Sequence, residues 1–147
     1  MPNEPRWLSL ETVVDINRAL VAITGERHFL RDQGLLDSAL VRPRNAFAYG
    51  EEDVVALAVR LLAGLAMAHA FEQGNKRTSF VAMTEFLMIN GYNLAIEDSL
   101  PWADEIIGLV EHRTSEEEFV RLLQPFVVAV RLIQDRNKGL ASCASGG

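Results

Sequence analysis

The most restrictive feature of the sequence is an apolar run of 15 residues from Val54 to Ala68, in which Arg60 is the one charged side chain. A helix that is apolar on every face is buried, either in a protein core or in a membrane. A membrane-spanning helix needs ~20 apolar residues, and this run is shorter. The run therefore predicts a buried core helix, and no membrane partner is expected.

Length and composition set the class of protein. With 147 residues, 49% of them hydrophobic, the chain can build one domain with its own core. Residues 1–136 are predicted to form this single helical domain, and the small, polar stretch 137–147 to be a disordered tail. The net charge of −6 argues against direct binding of nucleic acid, which favours a basic surface, and so disfavours an all-α DNA-binding regulator.

Cysteine content and the first residues indicate a compartment. The only cysteine, Cys143, excludes an internal disulfide and a thiolate metal cluster. The stretch MPNEPRWLSLE lacks the basic start and apolar segment of a signal peptide. Both observations favour a cytoplasmic location.

Helical signals predominate along the chain, so the predicted fold class is all-α. Ser9 is predicted to cap a first helix that ends before Gly25. The polar segment 25–33 indicates a loop. Residues 34–41 are predicted to form a short second helix, which Pro43 ends because proline lacks the N–H that a helix interior needs.

The second half of the chain carries further start and stop signals. Acidic side chains complement the dipole of a helix start, glycine suits the left-handed residue after a helix, and a Ser-x-x-Glu pattern caps a helix start. These signals predict the following elements: a third helix opened by residues 51–53 and running to about His69, a fourth from Asn75 to Asn90, a short strand in residues 92–96, a fifth helix from Pro101 to about His112, and a last helix capped by Ser115 and split by Pro125.

A burst of polar residues, HAFEQGNKRTSF beginning at His69, separates the two most apolar stretches. The N–H groups and the dipole of a helix start favour an anion, and Gly74 allows a tight turn that brings these groups near a ligand. Asn75 can donate an amide hydrogen bond to a phosphate oxygen, while Lys76 and Arg77 add positive charge. With a histidine as proton acceptor a few residues away, the pattern predicts a phosphate-binding site beside a general base.

Two familiar motifs do not fit this stretch. A phosphate-binding loop of the G-x-x-x-x-G-K-[ST] type needs lysine directly after its second glycine and a preceding strand, whereas Asn75 separates Gly74 from Lys76 and no strand is predicted before them. The HExxH pattern of zinc proteases is absent from the chain. His28 and His112 have no clustered polar partners and are predicted to be surface residues or hydrogen-bonded structural ones.

As a motif, His69-x-Phe71-x-x-Gly74-Asn75-Lys76-Arg77 resembles the HxFx[D/E]GNxR core of the Fic/Doc (Fido) family. Lysine after the asparagine resembles the Doc branch, the death-on-curing toxins of toxin–antitoxin modules. Residues 29–43 and 86–92 resemble the segments that flank the motif in Doc-like proteins. The likeness covers roughly residues 10–125.

The resemblance implies a fold and a reaction. Fido proteins are helical bundles with a short β-hairpin flap, and they transfer part of a nucleotide to a serine, threonine or tyrosine hydroxyl of a target protein. His69 would be the base that deprotonates this hydroxyl, and Phe71 would anchor the loop in the core. Gly74 and Asn75 would hold phosphates. Arg77 would stabilise the charge that develops during transfer.

Within the family, the residue at the position of Lys76 is tied to the product. Glycine there leaves room for transfer of AMP, while lysine is taken to reorient ATP so that the γ-phosphate is transferred. ATP and Mg²⁺ are the implied cofactors. Kinase activity on a translation elongation factor is the leading expectation and AMP transfer the second. Residues 25–33 match the flap that docks the backbone of the target.

Inhibition is a further implication. Doc-type members are silenced by a small Phd-like antitoxin, whereas some Fic proteins carry their own inhibitory helix with a [S/T]xxxE[G/N] signature. This chain lacks that signature, since Thr114-x-x-x-Glu118 is followed by Phe119. Inhibition is therefore expected in trans, by a partner segment in an apolar groove near the motif.

Position 73 departs from the family pattern. The acidic residue that normally binds Mg²⁺ is replaced by Gln73, whose neutral amide oxygen is a poorer ligand for a hard cation. Glu72 is adjacent, but the shift by one residue is expected to point it elsewhere. This departure keeps a third interpretation open, a degenerate Fido fold that binds nucleotide or antitoxin without turnover.

Overall fold

Six α-helices and one two-stranded sheet form the described part of the computed structural model, residues 3–95 and 102–130. In chain order the elements are α1 (Leu10–Ile23), α2 (Gln33–Ala48), α3 (Val54–Ala68), α4 (Asn75–Ile89), β1 (Tyr92–Leu94), α5 (Trp102–Val110), α6 (Glu116–Leu123), a 3₁₀ turn (Gln124–Phe126) and β2 (Val127–Ala129). This content confirms the predicted all-α class, with a small antiparallel sheet as its β component.

The long apolar run is a buried core helix, as predicted, and the structure places it at the centre of the fold. α3 packs against α2, α4, α5 and α6, and Leu57, Leu62 and Ala66 on it are 0% exposed. Burying a leucine side chain stabilises a fold by about 1.5–3 kcal/mol, so this helix contributes much of the hydrophobic driving force. Within residues 3–95 and 102–130, no helix combines the length and hydropathy needed to cross a bilayer.

Side-chain caps fix the starts of several helices. The Ser9 hydroxyl accepts a hydrogen bond from the Thr12 N–H at 3.1 Å, and the Ser115 hydroxyl accepts one from the Glu118 N–H at 3.1 Å. Both predicted caps are confirmed. Asp53 caps α3 by accepting from the N–H of Val55 at 2.9 Å. Such caps satisfy N–H groups that the helix itself leaves without a partner.

The second helix is longer than predicted. α2 begins after its cap, Asp32, and continues through Pro43 to Ala48, so the prediction that Pro43 ends the helix is wrong. Proline cannot donate to the carbonyl four residues earlier, but Pro43 is buried in a helix that packs along α3. The packing is close, because a Cβ added to Gly64 would lie 3.4 Å from the carbonyl oxygen of Ala39. Burial against α3 outweighs the lost hydrogen bond.

The sheet joins two strands that are distant in the sequence. β1 pairs antiparallel with β2, with Asn93 opposite Val128, which confirms the predicted strand after Gly91. Pro125 lies in the 3₁₀ turn that ends α6, so this helix ends where its proline was predicted to interrupt it. Segment 25–33 adds only an isolated bridge between Leu30 and Phe71. The predicted tail, 137–147, and the predicted start at Pro101 lie outside the described residues.

Candidate active site

A cavity of about 300 Å³ lies between the end of α3 and the start of α4. It gathers the predicted site residues of the polar stretch, except the motif anchor, together with two neighbours; its lining is Ala66, His69, Glu72, Gln73, Gly74, Asn75, Lys76 and Arg77. The anchor, Phe71, is 2% exposed and belongs to the hydrophobic core. One small space therefore holds an imidazole, a helix start and two cations.

His69 occupies the position just after α3. Its backbone is left-handed, with φ of 50°, and its side chain is exposed. Its carbonyl oxygen accepts a hydrogen bond from Nη2 of Arg31 at 2.9 Å, which ties the turn to segment 25–33. Among residues 3–95 and 102–130, the imidazole makes no hydrogen bond. The ring is thus available to a substrate hydroxyl.

Asn75 clamps the turn between the two helices. Its Oδ1 accepts from the N–H of Phe71 at 3.0 Å, and its Nδ2 donates to the carbonyl of Phe71 at 2.8 Å. Segment 25–33 holds the same turn from the other side, because the N–H of Glu72 donates to the carbonyl of Phe29 at 3.0 Å. With part of its amide engaged in this clamp, Asn75 has a second Nδ2 hydrogen and its backbone N–H left for a phosphate.

Gly74 begins α4 in a left-handed conformation, with φ of 78° and no side chain to cap the helix. A Cβ at this position would lie 3.1 Å from Cγ1 of Val21, 3.3 Å from Nδ2 of Asn17 and 3.4 Å from Nη2 of Arg77. Conformation and space therefore both require glycine. Because this helix start has no side-chain cap, its N–H groups and the positive end of the helix dipole favour an anion, as the sequence predicts.

Arg77 is paired with a carboxylate of its own chain. Its Nη1 donates to the hydroxyl of Thr24 at 2.9 Å, and its Nη2 donates to Glu26, with which it forms an ion pair. The Thr24 hydroxyl also contacts Glu26. The hydrogen bond from Thr24, followed by the hydrogen bond and charge of Arg77, lowers the pKa of Glu26 below its ordinary 4.5. The residue predicted to stabilise phosphate charge is thus already beside an anion.

A buried amide under the turn was missed by the sequence prediction. Asn17 is 0% exposed, and its Nδ2 donates to the carbonyl of Gln73 at 2.8 Å and to the hydroxyl of Thr78 at 3.0 Å. Nδ1 of His28 makes a hydrogen bond with Oδ1 of Asn17 at 2.8 Å. Of the two alternatives predicted for His28, this is the hydrogen-bonded structural one. The available signal was spacing, because Asn17 falls on the buried stripe of α1 between Val13 and Val21.

The protein offers few ligands to a divalent cation at this site. Gln73 can supply an amide oxygen. Glu72 also lines the cavity, and its Oε2 lies 3.9 Å from Nε of Arg27, which is not part of the lining. Among residues 3–95 and 102–130, no group of three His, Cys, Asp or Glu side chains is placed to hold a metal. One carboxylate and one amide fit a Mg²⁺ ion that phosphate oxygens also hold, rather than one caged by protein alone.

An apolar groove of about 250 Å³ adjoins this cavity. Six apolar residues of α1, α4 and α5 line it: Leu20, Phe80, Val81, Trp102, Ala103 and Ile106. Lys76 and Arg77 line both spaces, so the groove has a cationic edge.

Comparison with known proteins agrees with this geometry. Residues 7–87 match the model of the Fic/DOC family, and the matched segment contains every residue of the cavity. The chain is also 41% identical over 96 residues to Toxin Doc of Mycolicibacterium smegmatis, a match that covers 63% of this chain and 72% of that protein. The chain belongs to the Fic/Doc family.

Proposed function

We propose that this chain is a Doc-like toxin of a toxin–antitoxin module, which arrests growth by transferring a phosphoryl group from ATP to a hydroxyl of a target protein. One observation carries the proposal: a single cavity brings the exposed imidazole of His69 next to the uncapped start of α4 and its two cations. Such a transfer needs a general base for the hydroxyl and a site that stabilises negative charge, and the cavity offers a candidate for each. The similarity to Toxin Doc supports the toxin role.

Each group has a defined part in the proposed step. The imidazole of His69 takes the proton of a serine, threonine or tyrosine hydroxyl, and the oxygen attacks the γ-phosphorus. The bond from that phosphorus to the bridging oxygen breaks, and ADP leaves. The N–H groups at the start of α4, with Lys76 and Arg77, neutralise the charge on the phosphate oxygens. When bound, Mg²⁺ supplies further positive charge at the phosphates.

Gln73 favours a second candidate, a fold that binds nucleotide without turnover. The amide replaces the acidic residue of the family motif, and among residues 3–95 and 102–130 Glu72 is the one acidic residue of the cavity lining. The kinase is favoured over this candidate because all the other motif positions are intact. Transfer of AMP remains the alternative reaction. A translation factor is the proposed class of target.

The proposed partner is an antitoxin segment that binds in the apolar groove next to the cavity. The groove lining is almost entirely apolar, while Lys76 and Arg77 form its edge. An amphipathic helix with apolar side chains toward Phe80 and Trp102, and with a carboxylate toward the cations, matches this surface. Such a segment would cover Arg77 and block entry of phosphate.

ATP labelled separately on the α- and γ-phosphates, incubated with the protein and a cell lysate, tests the proposed reaction. Label carried from the γ-phosphate supports the kinase, label from the α-phosphate supports AMP transfer, and no transfer supports the binding-only candidate.

His69→Ala should abolish transfer because the proton acceptor is lost. His112→Ala is the matched control, since His112 is also exposed and left-handed, with φ of 62°, at the end of another helix. Equal loss of transfer in both variants would contradict a chemical role for His69.

A further inference from the structure

We infer that Asn17 is a positioning residue, which holds the peptide between Gln73 and Gly74 in the orientation that a nucleotide phosphate requires. The inference rests on the proposed function, because it concerns how the same cavity binds ATP. Asn17 lies on α1, outside the polar motif and outside the lining of the cavity.

Burial and hydrogen bonding set the amide of Asn17 apart from the other polar groups of α1. It is 0% exposed, and both ends of its side chain have partners at 2.8 Å, the Gln73 carbonyl on Nδ2 and His28 on Oδ1. A buried polar side chain is tolerated only when its hydrogen bonds are made, so each bond restrains the group at its other end. Asn17 therefore restrains the motif turn and segment 25–33 together.

The bond to Gln73 has a directional consequence. In a trans peptide the carbonyl and the following N–H point in opposite directions. Because the Gln73 carbonyl is turned toward Asn17, the N–H of Gly74 is directed away from α1. Gly74 itself lies against Asn17, since a Cβ there would be 3.3 Å from Nδ2 of Asn17. The amide thus sets the direction of a backbone donor of the anion site.

The second bond of Nδ2 provides an internal control. The Thr78 hydroxyl, 1% exposed on α4, accepts from the same nitrogen at 3.0 Å but lies one turn past the loop. Thr78→Val removes this bond and leaves the bond from Asn17 to Gln73 in place. Asn17→Asp keeps the shape of the side chain and can still accept from His28, but in its ionised form it cannot donate to the Gln73 carbonyl.

Calorimetric titration with ATP and Mg²⁺ separates positioning from simple support of the fold. A merely structural role lowers the folded fraction and hence the binding stoichiometry at unchanged Kd. A positioning role raises the Kd, and the KM for ATP where transfer occurs. For Asn17→Asp we expect the Kd to rise about tenfold, the effect of one hydrogen bond to the loop. For Thr78→Val we expect a lower melting temperature with a Kd within about threefold of the wild-type value.

The outcomes are distinct. A Kd raised in Asn17→Asp and unchanged in Thr78→Val supports the inference, even if no label is transferred and the proposed kinase activity fails. Equal Kd values in all three proteins overturn the inference and leave the proposed function standing. Absence of ATP binding by the wild-type protein overturns both. If Asn17→Asp does not fold, Asn17→Ser, which is neutral and too short to reach the Gln73 carbonyl, is judged by the same Kd criteria.

Discussion

At the residue scale, the pairing of Arg77 with Glu26 has a direct consequence for binding. The guanidinium that would stabilise phosphate charge is held by a carboxylate and by the Thr24 hydroxyl. Both members of the ion pair are partly exposed, so a phosphate can compete with the carboxylate for the same donors. If the chain binds a nucleotide as proposed, Glu26 would compete with its phosphates for Arg77.

Glu26→Gln should tighten binding of ATP. The amide keeps the size of the side chain but removes the negative charge, so Arg77 is released at lower cost. Exposed ion pairs contribute little, and we expect the Kd for ATP to fall about two- to fivefold. The matched control is Glu111→Gln, which removes an exposed carboxylate 2.9 Å from Arg113 and outside the cavity. A Kd that stays unchanged in Glu26→Gln would show that Glu26 does not compete with the nucleotide.

The lowered pKa of Glu26 predicts how the ion pair responds to acid. A carboxyl group whose pKa is depressed by folding adds stability above its ordinary value, here 4.5, and loses that contribution as the pH falls through the folded-state value. The wild-type protein should therefore melt higher than Glu26→Gln above pH 4.5, and the difference should shrink at lower pH. Calorimetric melting of both proteins across this range measures it. A difference that grows on acidification would contradict the assignment.

Gln73 should determine the requirement for Mg²⁺. A carboxylate binds this ion through a full charge, whereas an amide contributes only a dipole. Wild-type protein should therefore need more Mg²⁺ for phosphoryl transfer than Gln73→Asp, in titrations at fixed ATP. Asn93→Asp, which adds the same charge on an exposed residue of β1, should behave as wild type. Coincident Mg²⁺ curves for all three proteins would show that position 73 does not contact the metal, and activity confined to Gln73→Asp would favour the binding-only candidate.

At the element scale, the contact between α2 and α3 supports the central helix, which ends just before His69. Gly64 lies at this contact, where a Cβ would be 3.3 Å from Cδ of Arg42 and 3.4 Å from Cα of Ala39. Arg42 is itself held, because it donates to the Arg60 carbonyl at 3.2 Å and to both oxygens of the Glu116 carboxylate. Separating α2 from α3 would break the bond from Arg42 to the Arg60 carbonyl, while the bonds to Glu116 tie α2 to α6.

Gly64→Leu should therefore destabilise the fold. Overpacking of a close helix contact typically lowers the free energy of unfolding by about 1–3 kcal/mol. Ala19→Leu, at an exposed position of α1, should change it by no more than about 0.5 kcal/mol. Denaturant unfolding measures the free energy of unfolding of both variants. A Gly64→Leu protein as stable as the wild type would show that α2 can shift away from α3 at little cost.

At the scale of the whole molecule, the apolar groove and the cavity share Lys76 and Arg77, so one partner can cover both. The proposed antitoxin segment would bury Val81, which is 36% exposed on the groove. A charge placed there would have to be desolvated on binding, which is costly without a partner.

Val81→Glu should therefore weaken neutralisation by the antitoxin. Expression of the wild-type chain alone should arrest growth, and co-expression of a cognate antitoxin should restore growth. The Val81→Glu variant should keep arresting growth under co-expression. Val41→Glu, which changes another exposed valine, on α2 and outside the groove, should remain neutralised. Neutralisation of both variants would place the antitoxin on another surface.

The amino-acid sequence by itself determined the features that depend on neighbours within about four residues. Contacts within one helical turn set the caps at Ser9 and Ser115 and the start of α4 after Gly74. Their patterns can therefore be recognised in the sequence. The motif from His69 to Arg77 is also contiguous in the sequence, so its pattern can be recognised there, although distant segments hold its turn in place.

Tertiary structure alone decided the contacts between distant segments. Glu26 reaches Arg77 across 51 positions, and Asn17 reaches the Gln73 carbonyl across 56. The pairing of β1 with β2 and the passage of α2 through Pro43 are likewise set by packing. The physical reason is that long-range contacts depend on how the helices pack around α3, and burial there outweighs local preferences such as that of proline.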